Sequence, residues 1–84
     1  MKRLADRLKE FRQRTRLSQR GFAALIDHDC GNYNKYERGL VVPGEAMLDK
    51  FTEACRLSEI EDALLRALAS HERIAQFVVR EVSR

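Results

Sequence analysis

Apolar residues recur along most of the chain at the spacing of a helix face, and rarely at the alternating spacing of a half-buried strand. Leu4, Leu8 and Phe11 are separated by Lys, Arg, Asp and Glu, which predicts an amphipathic first helix over about residues 2–14. Thr15-Arg16-Leu17 breaks the pattern, and the Ser18 side-chain oxygen can accept from the free N–H groups of a new helix. That second helix runs to about Ile26, with Phe22, Ala23, Leu25 and Ile26 as its core candidates. Asp27-His28-Asp29 interrupts the apolar pattern for three residues. Asp27 tolerates the left-handed backbone of a tight turn, and Asp29 is placed to cap a third helix reaching Arg38, with Tyr33, Tyr36 and Cys30 toward its inner side.

Gly39 ends the third helix, and Leu40-Val41-Val42-Pro43-Gly44 is expected to be a loop, because Pro lacks the N–H of a continuing helix and restricts the residue before it. A fourth helix, Glu45 to Cys55, presents Met47, Leu48, Phe51, Ala54 and Cys55 to a core. Ser58 followed by Glu61 has capping-box spacing, which predicts a fifth helix over about Glu59–Ala69 with Ile60, Leu64, Leu65 and Leu68 available for packing. From Ser70 onward, Ile74, Phe77, Val78 and Val82 suit one helical face, although QFVVREV also has strand propensity. A helical extension is the favoured reading. The expectation is an all-α, five-helix domain over residues 1–69 with a C-terminal helical extension over 70–84.

Composition narrows the function classes. The chain has 84 residues, 44% hydrophobic and 35% charged, which is ordinary for one helix-rich domain with a single core. No apolar run approaches the roughly 20 residues needed to span a bilayer, and the charged start MKRLADRLKE does not resemble a secretory signal, so a cytoplasmic protein is expected. Cys30 and Cys55 lack CxxC spacing and His partners and read as free thiols, Cys55 in the core. His28 and His71 stand apart from other metal-ligating residues and read as surface residues. With no Gly-rich phosphate loop and no nucleophile-and-base arrangement, neither a cofactor, a metal nor an enzymatic activity is expected.

Charge changes the picture through its distribution. Residues 1–40 hold ten Lys and Arg against five acids, a balance of +5, whereas residues 41–84 hold six against eight, a balance of −2. A basic first half beside a mildly acidic second half fits one face turned to a polyanion. Two short helices joined by a three-residue turn, after a basic amphipathic helix, can lay the second of the pair in the major groove of double-stranded DNA.

The stretch LSQRGFAALIDHDCGNYNKYERG resembles the helix-turn-helix of phage-repressor-type regulators, the Cro/C1 or XRE family, and the resemblance extends from Leu4 through Pro43 to about Leu68. It is carried by Leu17-Ser18-Gln19, by Ala23 where the two helices cross, by the turn, and by Glu37-Arg38-Gly39 before Pro43. The resemblance implies a lambda-repressor-like fold. It implies that Gln19, beside Arg20, holds a phosphate at the start of the second helix, that Arg38 reaches another, and that Arg12 pairs with Glu37 to brace the third helix. Base reading falls to Cys30, Gly31, Asn32, Asn34 and Lys35, of which Cys30, Gly31 and Lys35 face bases most directly and Asn32 lies near the backbone. Gly31 and Cys30 offer little to read with, so direct readout looks thin.

The implied function is a sequence-specific regulator, a repressor before an activator, binding a two-fold symmetric operator as a homodimer. Leu40, Val41 and Val42 in the loop, with Ile74, Phe77, Val78 and Val82 in the tail, are the candidate dimerisation residues. The competing reading is a helix-turn-helix scaffold turned to a protein partner, an antitoxin or anti-activator with little DNA reading. It draws on the thin base-facing set, the two turn aspartates and the apolar loop.

Overall fold

The computed structural model of the protein describes residues 3–82 and holds, among them, five helices: α1 (Leu4–Arg14), α2 (Gln19–Leu25), α3 (Cys30–Glu37), α4 (Glu45–Cys55) and α5 (Glu59–Val82). A first helix beginning at residue 2 lies outside the described residues. The caps form where the side-chain chemistry places them. Ser18 accepts from the Gly21 N–H at 3.1 Å, and Asp29 accepts from the Asn32 N–H at 3.0 Å. At α5 the box closes in both directions: the Glu61 N–H donates to the Ser58 hydroxyl at 3.1 Å and the Ser58 N–H donates to the Glu61 carboxylate at 3.0 Å.

Left-handed residues turn the chain between helices. Arg16 (φ 64°), Asp27 (φ 55°) and Arg56 (φ 52°) do so with side chains, and Gly39 (φ 74°) without one. A Cβ on Gly39 would stand 3.3 Å from the Arg3 guanidinium and 3.7 Å from Ala5, so the turn after α3 is both left-handed and crowded.

The core forms where α1 packs against α3, α4 and α5, and α2 against α3. Phe22 stands at its centre, its ring 5.4 Å from Tyr33 and 5.2 Å from Phe51, with Leu8, Leu48 and Leu65 fully buried around it. Burying each such side chain contributes about 1.5–3 kcal/mol. Three expected core residues are not there. Leu25 is 58% exposed, because the buried side of the short α2 is filled by Phe22 and Ala23 and is continued by Ile26. Ile60 and Leu64 also face solvent, because the stripe that joins α5 to the domain is Leu65, Leu68 and Ala69.

No Gly or Pro falls between Glu59 and Val82, and α5 runs unbroken through Ser70 as a single helix of 24 residues. The strand alternative for QFVVREV is therefore not taken up to Val82. The helix is tied to the domain near its middle, where Glu72 accepts from the Leu4 N–H at 3.1 Å and Arg73 donates to the Pro43 carbonyl at 3.0 Å. Beyond that point Ile74, Phe77, Val78 and Val79 are exposed. The side chain of Val82 lies outside the described residues.

The left-handed positions set opposite expectations for glycine exchange. A left-handed L-residue costs roughly 1–2 kcal/mol, so Arg56→Gly should raise the unfolding free energy by about 0.5 kcal/mol after the entropic cost of the glycine. Gly39→Ala should lower it by at least 1 kcal/mol, roughly. Urea denaturation of both variants tests this, and equal shifts in either direction would contradict it.

Candidate nucleic-acid interface

The interface is built from α2, the turn after it and α3. Asp27 turns the chain out of α2, and the His28 N–H donates back to the Ala23 carbonyl at 2.8 Å, which closes the turn before Asp29 caps α3. Helix α3 is then held from beneath by polar groups converging on the carboxylate of Glu37.

That carboxylate accepts four hydrogen bonds. Arg12 Nε donates to Oε2 at 2.6 Å and Arg12 Nη2 to Oε1 at 3.1 Å; the Tyr33 hydroxyl donates to Oε2 at 2.5 Å and Gln19 Nε2 to Oε1 at 3.0 Å. Only 2% of the Glu37 side chain and 10% of the Arg12 side chain reach solvent. The third guanidinium nitrogen, Arg12 Nη1, donates to the Leu17 carbonyl at 2.8 Å, so one arginine ties α1 to α3 and to the residue before the α2 cap.

Burial pushes the Glu37 carboxyl up, but the hydrogen bonds from Arg12, Tyr33 and Gln19 together outweigh it and hold the group below the usual carboxylate range. Burial also raises the Tyr33 phenol far above its ordinary value, with the bond to Glu37 acting in the same direction, so Tyr33 stays a donor. Tyr33 therefore fills the core with its ring and braces α3 with its hydroxyl. The Tyr and Glu stand four residues apart on α3, one turn of helix, and that spacing is the signal from which the bond was legible.

Several expected contact residues are engaged within the protein. Gln19 is half-buried: its nitrogen is held by Glu37, and its oxygen accepts from Asn34 Nδ2 at 2.9 Å. Asn34, expected on the outer face, is thus turned back toward α2 by that bond. Cys30 is half-buried against the core rather than fully presented outward. His28 is not a plain surface residue, since its ring packs 5.8 Å from that of Tyr36 and its Nδ1 is buried. Asn34 and Gln19 lie far apart in the sequence, and nothing in the spacing of residues announced their bond.

The outward face carries the remaining groups. Arg20, Gly31, Asn32, Lys35 and Arg38 are exposed, and they bring three cations to the solvent side of α2 and α3. Arg16, exposed just before the α2 cap, adds a fourth that the sequence reading did not assign. Asp27 and Asp29 are exposed in the turn, Asp29 with its carboxylate committed to the cap. In the loop Leu40 and Val41 are exposed, but Val42 packs partly buried against the core beside fully buried Pro43 and offers little to a partner.

Elsewhere the chemistry is structural. Arg66 bonds Glu45 at 2.5 Å, Asp49 at 2.7 Å and Asp62 at 2.9 Å and so braces α4 against α5. Both cysteines are free, and burial pushes the Cys55 thiol up to about 11, as suits a core residue. Among the described residues no group of His, Cys, Asp and Glu is placed to hold a metal ion, and no helix is long and apolar enough to cross a membrane.

The family model described as a helix-turn-helix domain matches residues 3–68. No curated protein and no solved structure shows a significant match to the chain.

The Glu37 network predicts a specific acid response. A carboxyl with a lowered folded-state pKa contributes stability above its unfolded value of about 4.3, and that contribution is lost as pH falls through the folded value. Arg12→Ala leaves a buried carboxylate without its cation, which should cost about 3 kcal/mol at neutral pH and move the acid unfolding midpoint upward. Denaturant unfolding between neutral and acid pH checks both; an unchanged acid midpoint would show that Arg12 does not set the Glu37 ionisation.

Proposed function

The chain belongs to the helix-turn-helix domain family, and on that premise we propose that it is a transcriptional regulator, a repressor that binds double-stranded DNA in the cytoplasm as a homodimer. The observation that carries this reading is the set of exposed cations, Arg20, Lys35 and Arg38, on the solvent side of a helix pair that is fixed from below. Such a pair sets one helix in the major groove while cations and the start of the preceding helix meet the phosphates. Lys35 is the side chain best suited to donate to a guanine edge, and Asn32 is exposed beside it.

Base readers are few. Asn34 is bonded to Gln19, Cys30 is half-buried, and Gly31 has no side chain. This favours two copies reading two half-sites, since one copy offers too few contacts to single out a site. The same inward-turned groups support the second reading, a scaffold whose partner is a protein. Mobility shift of fragments from the gene's own upstream region separates the two, because even non-specific phosphate binding should appear at low salt.

Lys35→Ala and Arg38→Ala should each weaken DNA binding. Each should also reduce the slope of log affinity against log salt by about 0.9, the counterion released per phosphate contact. Lys35→Ala should in addition relax base preference, whereas Arg38→Ala should weaken all sequences alike. Wild-type affinity and slope in both variants would remove α3 from the DNA-facing surface.

A further inference from the structure

Exposed apolar side chains, with one histidine among them, gather on the outer face of α5. Ile60, Leu64, Ala67, His71, Ile74 and Val78 are all exposed, and they follow one another at alternating spacings of four and three residues, which is the seam of two packed helices. Leu65, Leu68 and Ala69, which join α5 to the domain, are buried and belong to another face. The seam therefore lies outside the domain's own core, and it extends along α5 on both sides of Ser70.

The order of side chains along this seam reads alike from both ends. Ile60 and Val78, Leu64 and Ile74, and Ala67 and His71 lie at equal sequence distances on either side of Ala69. A second α5 laid antiparallel, with the two-fold axis level with Ala69, sets Ile60 against Val78 of the other copy, Leu64 against Ile74 and Ala67 against His71. On one flank it brings Phe77 over Ala63, a large side chain over a small exposed one. A two-fold interface must be self-complementary in this way.

We infer that α5 pairs with α5 of a second copy, antiparallel and centred at Ala69, and that this seam, not the Leu40–Val41 loop, closes the dimer. The inference rests on the homodimer proposed above and names the surface that forms it. Area supports a second copy as the occupant. Exposures of 82% for Ile60, 37% for Leu64, 64% for Ile74, 62% for Phe77 and 51% for Val78 leave at most roughly 600 Å² per copy to be covered, which puts a dimer at the lower end of the roughly 1,200–2,000 Å² total of standard interfaces. Charge supports it too. The seam residues include no Lys, Arg, Asp or Glu, so pairing buries none of those charges, and the face offers no fixed cation to DNA.

The test is sedimentation equilibrium of the full chain, with helicity and thermal unfolding followed in parallel. The wild type should be a dimer at micromolar concentration. Ile60→Lys and Val78→Glu should each weaken self-association at least tenfold while the fold is retained, since both sites are solvent-exposed. The double variant Ile60→Lys with Val78→Glu should recover dimerisation, because only the antiparallel register sets the two new charges against each other. Two monomeric single variants without recovery in the double would reject this register. A dimeric Ile60→Lys variant would place the interface elsewhere and leave the homodimer standing, whereas a wild type monomeric at all concentrations would overturn both.

Discussion

A carboxylate held almost out of water has to be met by donors or it destabilises the fold, and the position of α3 is set by how this chain meets that demand at Glu37. Arg12 from α1, Gln19 from α2 and Tyr33 from α3 itself all donate to the one group. Apolar packing around Phe22 supplies most of the cohesion, but it is non-directional and would tolerate small rotations of α3 about its axis. Hydrogen bonds to a buried ion are directional, and an unmet one is costly. The network thus holds the orientation of the helix that faces outward, while the core holds it in place.

The same network governs which side chains remain for contact. Gln19 serves Glu37 with its nitrogen and Asn34 with its oxygen, so two residues that resemble contact residues brace the helix pair in this structure. The exposed face is left with four cations, Arg16, Arg20, Lys35 and Arg38, and with Asn32 among its few uncharged polar side chains. Affinity from charge and specificity from repetition are consistent with each other here. On the proposed reading a face poor in readers calls for a second copy, and α5 carries an exposed seam without Lys, Arg, Asp or Glu on another face than its buried stripe.

Helix α5 has one buried and one exposed face. Leu65, Leu68 and Ala69 complete the core, and Arg66 with its three carboxylates clamps the helix to α4. Glu72 and Arg73 fasten it to Leu4 and Pro43. Past those contacts the helix continues with Ile74, Phe77, Val78 and Val79 exposed.

What the sequence determined by itself was local. The five helices and the caps at Ser18, Asp29 and Ser58 follow from periodicity and from side chains that meet backbone groups within a few residues, and so does the left-handed turn at Asp27. Helix-turn-helix membership follows from the same short-range marks. Tertiary structure decided the rest, because burial depends on which stripe of a helix meets its neighbours, and an amphipathic pattern several residues wide does not say which. Leu25 and Ile60 suited a core by type and were left outside it once Phe22, Ala23 and Ile26 on one element, and Leu65 and Leu68 on the other, had filled the contact. The turning of Gln19 and Asn34 toward each other likewise depends on residues distant in sequence being brought together, for which no local pattern exists.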